Sequence, residues 1–224
     1  MTFTKLEKIW SYIWPALLFK GKEVEGKPLE LHLSKGRLLL QVEDAIYSYD
    51  DLYHVFKKAF EMVDLPASGA KSLILGYGLG SIPYILERHH QRIYPFTGVE
   101  YDHTIISLAQ KYATPRLTSP VGLLHVDALV FMDRNRQQYD FICVDIFHGG
   151  RVPAFAKETD FLEQLSDSLT PKGLLLFNYM KTDEADFTTF YQRFLDVFPE
   201  GQYLDLGSNY VLVNRPKKGS NIQK

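Results

Sequence analysis

The chain has 224 residues, 46% hydrophobic and 23% charged, the balance of an ordinary globular protein and not of a disordered or fibrous one. Its 25 basic and 27 acidic residues leave a formal charge of −2, and no segment carries a long run of one sign, which excludes the electrostatic footprint of nonspecific nucleic-acid binding. Cys143 is the only cysteine, so an intramolecular disulfide is excluded and a cytoplasmic location is expected.

The first apolar stretch, Ile9 to Phe19, follows Lys5 and Lys8 as the core of a secretory signal does. The next residues, Lys20-Gly21-Lys22-Glu23, offer no small-residue cleavage site. The stretch is also about half the length needed to cross a bilayer, and Pro15 interrupts it. An apolar element packed on the body or on a second subunit is expected there, with no membrane contact.

Residues 28–49 predict a small β meander: Leu29, Leu31 and Leu33 alternate with polar neighbours, and Lys35-Gly36 turns the chain into Leu38–Val42. Asp50 or Asp51 is placed to cap a helix whose apolar positions Leu52, Val55, Phe56, Ala59, Phe60 and Val63 fall at helical spacing. Residues 66–69 then break the pattern.

From Lys71 onward short apolar runs alternate with amphipathic segments, the mark of parallel strands joined by crossover helices. Strands are predicted at 72–76, 94–99, 121–126, 140–145 and 173–179, and helices near 80–89, 103–112, 127–133, 158–169 and 184–197. Two last strands, 201–206 and 209–214, are separated only by Gly207-Ser208 and should pair antiparallel. The expected fold is α/β: a methyltransferase-type Rossmann-like sheet, mainly parallel with an antiparallel C-terminal hairpin, and a small N-terminal β region. The expected divisions are residues 1–65 for that region and its linking helix, 66–215 for a nucleoside-binding domain, and 216–224 for a disordered tail.

Chemistry concentrates at the carboxyl ends of these strands. Leu73-Ile74-Leu75-Gly76-Tyr77-Gly78-Leu79-Gly80 runs an apolar strand into a glycine-rich turn and a helix; Gly76, Gly78 and Gly80 allow a tight turn, and the helix amino end offers unpaired N–H groups to a ligand. The same pattern also occurs in purely structural turns, and Pro83 stands where a dinucleotide fingerprint would have its third glycine. Glu100 ends the second strand, where a carboxylate can bind both ribose hydroxyls. Asp127-Ala128 ends the third, with the acid placed to accept the adenine amino group. Either acid is also an ordinary helix cap. The run Tyr139–Asp145 supplies the fourth strand and puts Asp145 at its carboxyl end as a candidate general base. The following loop, Ile146-Phe147-His148-Gly149-Gly150-Arg151, combines an imidazole, a glycine pair and a guanidinium, a mixture that suits a lid.

The order Gly76–Gly80, Val99-Glu100-Tyr101-Asp102, Asp127-Ala128 and Tyr139–Asp145 resembles the spermidine synthase family, with weaker likeness over about residues 30–180. That resemblance implies a Rossmann-like transferase domain, a small N-terminal β domain, frequent dimers and decarboxylated S-adenosylmethionine as aminopropyl donor. Three positions depart from the family pattern: Leu79 replaces an aspartate of the turn, His148 replaces the second acid after the fourth strand, and Val55 replaces the glutamate two residues after Tyr53. The nucleoside half of the site is kept and the diamine half is largely lost.

The expectation is therefore a transferase that binds S-adenosylmethionine or its decarboxylated form through Gly76, Gly78, Gly80, Glu100, Asp127 and Ala128, and releases S-adenosylhomocysteine or methylthioadenosine. Asp145 is the first candidate base and His148 the second; the acceptor is a small molecule, and no metal is expected. The competing expectation is a non-catalytic nucleoside-binding protein of the same fold that works through a dimer interface at Trp10 and Trp14.

Overall fold

A computed structural model describes residues 3–22, 28–42 and 45–215; the tail expected at 216–224 lies outside them. A short helix, α1 (Lys5–Trp10), opens with a capping box in which the Glu7 N–H donates to Thr4 Oγ1 at 3.2 Å and the Thr4 N–H to Glu7 Oε2 at 2.7 Å. Four antiparallel strands follow in chain order across one sheet: β1 (Ala16–Lys22), β2 (Pro28–Ser34), β3 (Arg37–Val42) and β4 (Ala45–Ser48). Their alternation works as expected, with Leu29, Leu31, Leu33, Leu38, Leu40 and Val42 all buried.

For the apolar stretch Ile9 to Phe19, the expected packing on the body holds only at its end. Its last four residues open strand β1, and there Leu18 and Phe19 pack against the core. Trp10 and Trp14 are 63% and 79% exposed, so these rings do not pack on the body.

Helix α2 (His54–Met62) buries Phe56, Ala59 and Phe60, yet neither Asp50 nor Asp51 caps it. Both acids lie one turn earlier, in a 3-10 turn, and answer to cations. Asp51 pairs with Arg37 and, at 3.1 Å, with His89. Asp50 is buried, accepts the Leu38 N–H at 2.9 Å and takes both terminal nitrogens of Arg116. A buried carboxylate needs a partner of opposite charge more than a helix needs one cap.

The central sheet has seven strands. Five are parallel, β5 (Ser72–Leu75), β6 (Phe96–Glu100), β7 (Val121–His125), β8 (Tyr139–Val144) and β9 (Leu169–Met180); β11 (Asn209–Val213) lies antiparallel between β9 and β10 (Gln202–Asp205). The spatial order is β10-β11-β9-β8-β5-β6-β7. Strand order thus reverses beside β5, between its neighbours β8 and β6, and ligands of open α/β sheets bind at the carboxyl ends next to such a reversal.

Alternation along each strand divides the core into two faces. Ile74, Phe141, Cys143 and Leu176 face α2, α3 (Ser81–His90), α4 (His103–Leu108) and the N-terminal sheet. Leu73, Leu75, Ile142, Val144 and Phe177 face α5 (Ala128–Arg134), α6 (Thr159–Asp167) and α7 (Glu184–Val197). Cys143 is fully buried, and burial pushes its thiol well above the usual range, so it packs as a small hydrophobe. The helix expected at 103–112 is α4 continued by a π turn through Ala113. Among the described residues no helix is long and apolar enough to cross a membrane.

Candidate functional site

A cleft of about 530 Å3 opens over the carboxyl ends of β5, β6, β7 and β8, with β4 and the start of α2 as its roof. Gly76 leaves β5 at φ +83°, and a Cβ on it would stand 2.3 Å from the backbone oxygen of Asp145. Only glycine lets the turn pass this close to the neighbouring strand. Gly80, at φ +76°, lies beneath the turn and does not line the cleft; a Cβ there would meet Tyr77 Oη at 2.6 Å. Leu79 is also absent from the lining and is buried in the core.

The turn's own N–H groups are largely spent inside the protein. Those of Gly76 and Tyr77 donate to the Val99 carbonyl at 2.9 and 3.0 Å, and that of Gly80 to the Tyr77 carbonyl at 3.0 Å. The Gly78 N–H donates to Glu100 Oε2 at 2.9 Å. The helix amino end from which donors are expected is the start of α3, which no side chain caps, and its Ser81 and Ile82 line the cleft.

Glu100 is the hub of this half. Its Oε1 accepts the N–H groups of Tyr101 at 2.9 Å and Asp102 at 3.1 Å, while Oε2 holds Gly78. Burial pushes its carboxyl up, and these three donors pull against that shift. Asp127 is a helix cap, its Oδ1 accepting from Leu129 at 2.8 Å and Val130 at 3.4 Å; Oδ2 has no protein partner among the described residues. Ala128 follows it, buried, at the first position of α5. Asp102 caps α4 in the same way.

Asp145 stands at the end of β8, beside the reversal of strand order. Its Oδ1 accepts the Tyr53 hydroxyl at 3.0 Å and the Asn178 amide at 2.8 Å, and Oδ2 has no protein partner among the described residues. Asn178, buried in β9, in turn accepts the Asn209 amide at 2.9 Å. Burial, set against the Asn178 and Tyr53 bonds and aided by the charge of Glu100, leaves the Asp145 carboxyl pushed up to about 7. Burial and the neighbouring charge of Asp145 hold the Tyr53 hydroxyl well above its ordinary range, so it stays a donor.

The loop after β8 closes as a hairpin: the His148 N–H donates to the Arg151 carbonyl at 2.8 Å and the Arg151 N–H returns the bond at 3.1 Å. His148 is exposed at the cleft rim; Arg151 is exposed outside the lining. The described lining carries four carboxylates, Glu100, Asp102, Asp127 and Asp145, and no Lys or Arg. No His, Cys, Asp and Glu cluster among the described residues is arranged to hold a metal ion.

Sequence reasoning missed Asn178 and Asn209 as members of the site, and met Tyr53 only as the start of a motif that departs from the family pattern. One signal was available: Asn178 is a lone amide after the apolar run Leu174–Phe177 of a strand buried on both faces, and a buried amide in such a place is there for a partner.

No protein-family model matches the chain. The polyamine aminopropyltransferase of Vibrio vulnificus is 30% identical over 118 residues, 50% of this chain and 38% of that one. An N-terminal histidine N-methyltransferase of Emericella nidulans is 28% identical over 150 residues, 62% of this chain and 25% of that one. The chain thus spans well under half the length of these curated relatives. Among solved structures, a probable spermidine synthase from Corynebacterium glutamicum matches with a TM-score of 0.68 at 18% identity, over 93% of this chain and 81% of that one. Solved methyltransferases share the fold as well. Sequence and fold together support a spermidine synthase-like family.

Proposed function

We propose that this spermidine synthase-like chain is a transferase that binds S-adenosylmethionine or its decarboxylated form and passes an alkyl group to a small-molecule acceptor other than a diamine. The observation that carries this reading is Asp145, a carboxylate with one oxygen locked by Tyr53 and Asn178 and the other open, beside a cleft of about 530 Å3. That volume lies within the range of roughly 300–1,000 Å3 usual for small-molecule sites. The residues fit an adenosyl sulfonium: Glu100 and the open Oδ2 of Asp127 stand at successive strand ends to accept hydroxyl and amino donors, and an acidic lining without Lys or Arg suits a cation.

A bound sulfonium supplies an already activated carbon, so the protein's own task is alignment and proton removal. Glu100 braces the glycine turn from below, fixing the floor of the nucleoside half. Asp145 takes the acceptor's proton, and Tyr53 and Asn178 keep its carboxylate from rotating away. His148, at the rim, is the second candidate for that proton.

The reading is tested by calorimetry with methylthioadenosine and S-adenosylmethionine. Glu100→Ala and Asp127→Asn are each expected to weaken binding by about 1–3 kcal/mol, the usual loss for a hydrogen bond to a charged group. Asparagine still caps α5, so the second variant separates ligand binding from helix stability. Unchanged affinity in both folded variants would sink the assignment.

A second copy of the chain belongs to the same reading. Leu6, Ile9, Trp10, Tyr12, Ile13, Trp14 and Leu17 are all more than half exposed, and β1, which holds Leu17, is the edge of its sheet, a combination that suits self-association. Sedimentation is expected to give a dimer that Trp10→Ser/Trp14→Ser dissociates; a wild-type monomer at micromolar concentration would refute it.

A further inference from the structure

We infer that the acceptor is an amine with one basic nitrogen and an apolar, preferably aromatic, body, its nitrogen against Asp145 and its body in the half of the cleft remote from Glu100. The inference rests on the transferase reading above and deepens it.

Strand order sets Asp145, at the end of β8, between two chemically different parts of the lining, the ends of β5, β6 and β7 on one side and the end of β9 on the other. One is built from the turn at Gly76–Gly78, Glu100, Tyr101, Asp102 and Asp127. The other is built from Val55 after Tyr53, Phe147 after Asp145, Phe155, and Met180, whose Sδ lies 3.7 Å from where a Cβ on Gly150 would stand. Met180 is paired in register with Asn209, which places this apolar wall beside the amide chain that holds Asp145. Phe155 is itself fixed edge-on against Phe161, with ring centroids 5.4 Å apart.

Charge decides what this wall accepts. In the second half the described lining offers one carboxylate, Asp145, with His148 at the exposed rim. One ammonium approaching Asp145 is matched; a second, at the far end of a short chain, would sit among Val55, Phe147, Phe155 and Met180 with no anion to meet it. A buried charge without a partner is strongly disfavoured. A ring or alkyl body in the same place gains from leaving water and from contact with two aromatic side chains and a thioether. An anionic acceptor is excluded by the four carboxylates of the lining.

The step balances without a further reactant. The bound ammonium first passes one proton to Asp145 Oδ2, which frees the nitrogen lone pair; that pair bonds to the carbon on the sulfonium, the carbon–sulfur bond breaks with its electrons left on sulfur as a neutral thioether, and the positive charge leaves on the alkylated nitrogen. A carboxyl already pushed up to about 7 by burial accepts that proton near neutral pH.

The test uses the full chain saturated with methylthioadenosine and titrated in a calorimeter with phenethylamine, butylamine and putrescine at pH 8. Phenethylamine is expected to bind at least about tenfold tighter than putrescine, as a buried unpaired charge predicts, with butylamine between them. Phe147→Ala should weaken phenethylamine and leave putrescine unchanged, and Val55→Glu, which adds a second carboxylate, should shift preference toward putrescine. If Val55→Glu does not fold, the Phe147→Ala comparison still decides. Putrescine binding as tightly as phenethylamine, or no amine binding to the methylthioadenosine complex, overturns this inference and leaves the transferase reading standing. Failure of methylthioadenosine itself to bind brings down that reading and this inference with it.

Discussion

Asp145→Asn is expected to slow single-turnover transfer by about 10²–10⁴-fold, the usual loss on removing a general base, while cofactor affinity changes little. Asparagine matches aspartate in size, and its carbonyl can still accept from the Tyr53 hydroxyl and the Asn178 amide, which now hold Oδ1 at 3.0 and 2.8 Å. The group lost is the open Oδ2, replaced by an amide that cannot take a proton. The variant thus separates chemistry from packing. A second readout comes from pH. Burial raises the Asp145 carboxyl to about 7 in the folded chain, against about 3.9 for an unperturbed aspartate. A raised acid contributes stability that is fully present below the unfolded value and is lost as pH rises through the folded one. Melting temperature of the wild type should therefore fall relative to Asp145→Asn between about pH 4 and pH 7, and the transfer rate should climb to a plateau above about pH 7. Equal rates in the two proteins would remove Asp145 from the chemistry and leave His148. A wild type that transfers nothing to any amine would favour the non-catalytic alternative.

The parts of the site that could be read from sequence are those encoded in short segments. A strand running into Gly76-Tyr77-Gly78, and acids at the ends of the next three strands, are local patterns, and a parallel sheet necessarily brings such strand ends to one edge. The alternation of Leu73 and Leu75 against Ile74 likewise separates the two faces of the core. What could not be read depends on pairing across the chain. Tyr53 meets Asp145 over 92 positions, Asn178 meets it over 33, and Asn209 meets Asn178 over 31; no spacing rule spans such distances. The same limit misled the reading of Asp50 and Asp51. Next to an amphipathic segment an aspartate is a natural cap, and only the folded chain shows Arg116 and Arg37 within reach. The N-terminal strand was hidden for another reason. In β1 the register shifts between Leu17 and Phe19, which breaks the alternation by which a strand is recognised.

Asp50→Ala is expected to cost about 3–5 kcal/mol of folding stability, the usual penalty for stranding one member of a buried ion pair. The Asp50 side chain is only 2% exposed and that of Arg116 11%. Arg116 Nη1 donates to Asp50 Oδ2 at 2.9 Å, and the guanidinium lies 4.8 Å from the Tyr84 ring centroid. Removing the carboxylate leaves that guanidinium with a ring but no anion, and it also orphans the buried Leu38 N–H, which donates to Asp50 Oδ2 at 2.9 Å. Asp50 holds a positive φ of 39°, a conformation that a non-glycine residue keeps only when its surroundings fix it. The damage should reach the site. Asp50 lies three residues before Tyr53, so loosening the turn between them should also loosen the hydroxyl that locks Asp145. Arg37 and Asp51 form the control, because their side chains are 28% and 13% exposed and water can solvate whichever partner remains; Asp51→Ala should cost about 1 kcal/mol or less. Urea unfolding measures both, read from the midpoint at constant slope. A double variant, Asp50→Asn/Arg116→Met, should recover much of the loss, since a neutral pair strands no charge. An Asp50→Ala protein as stable as Asp51→Ala would show that Arg116 is not held by Asp50, and that Tyr53 is positioned by the packing of α2 alone.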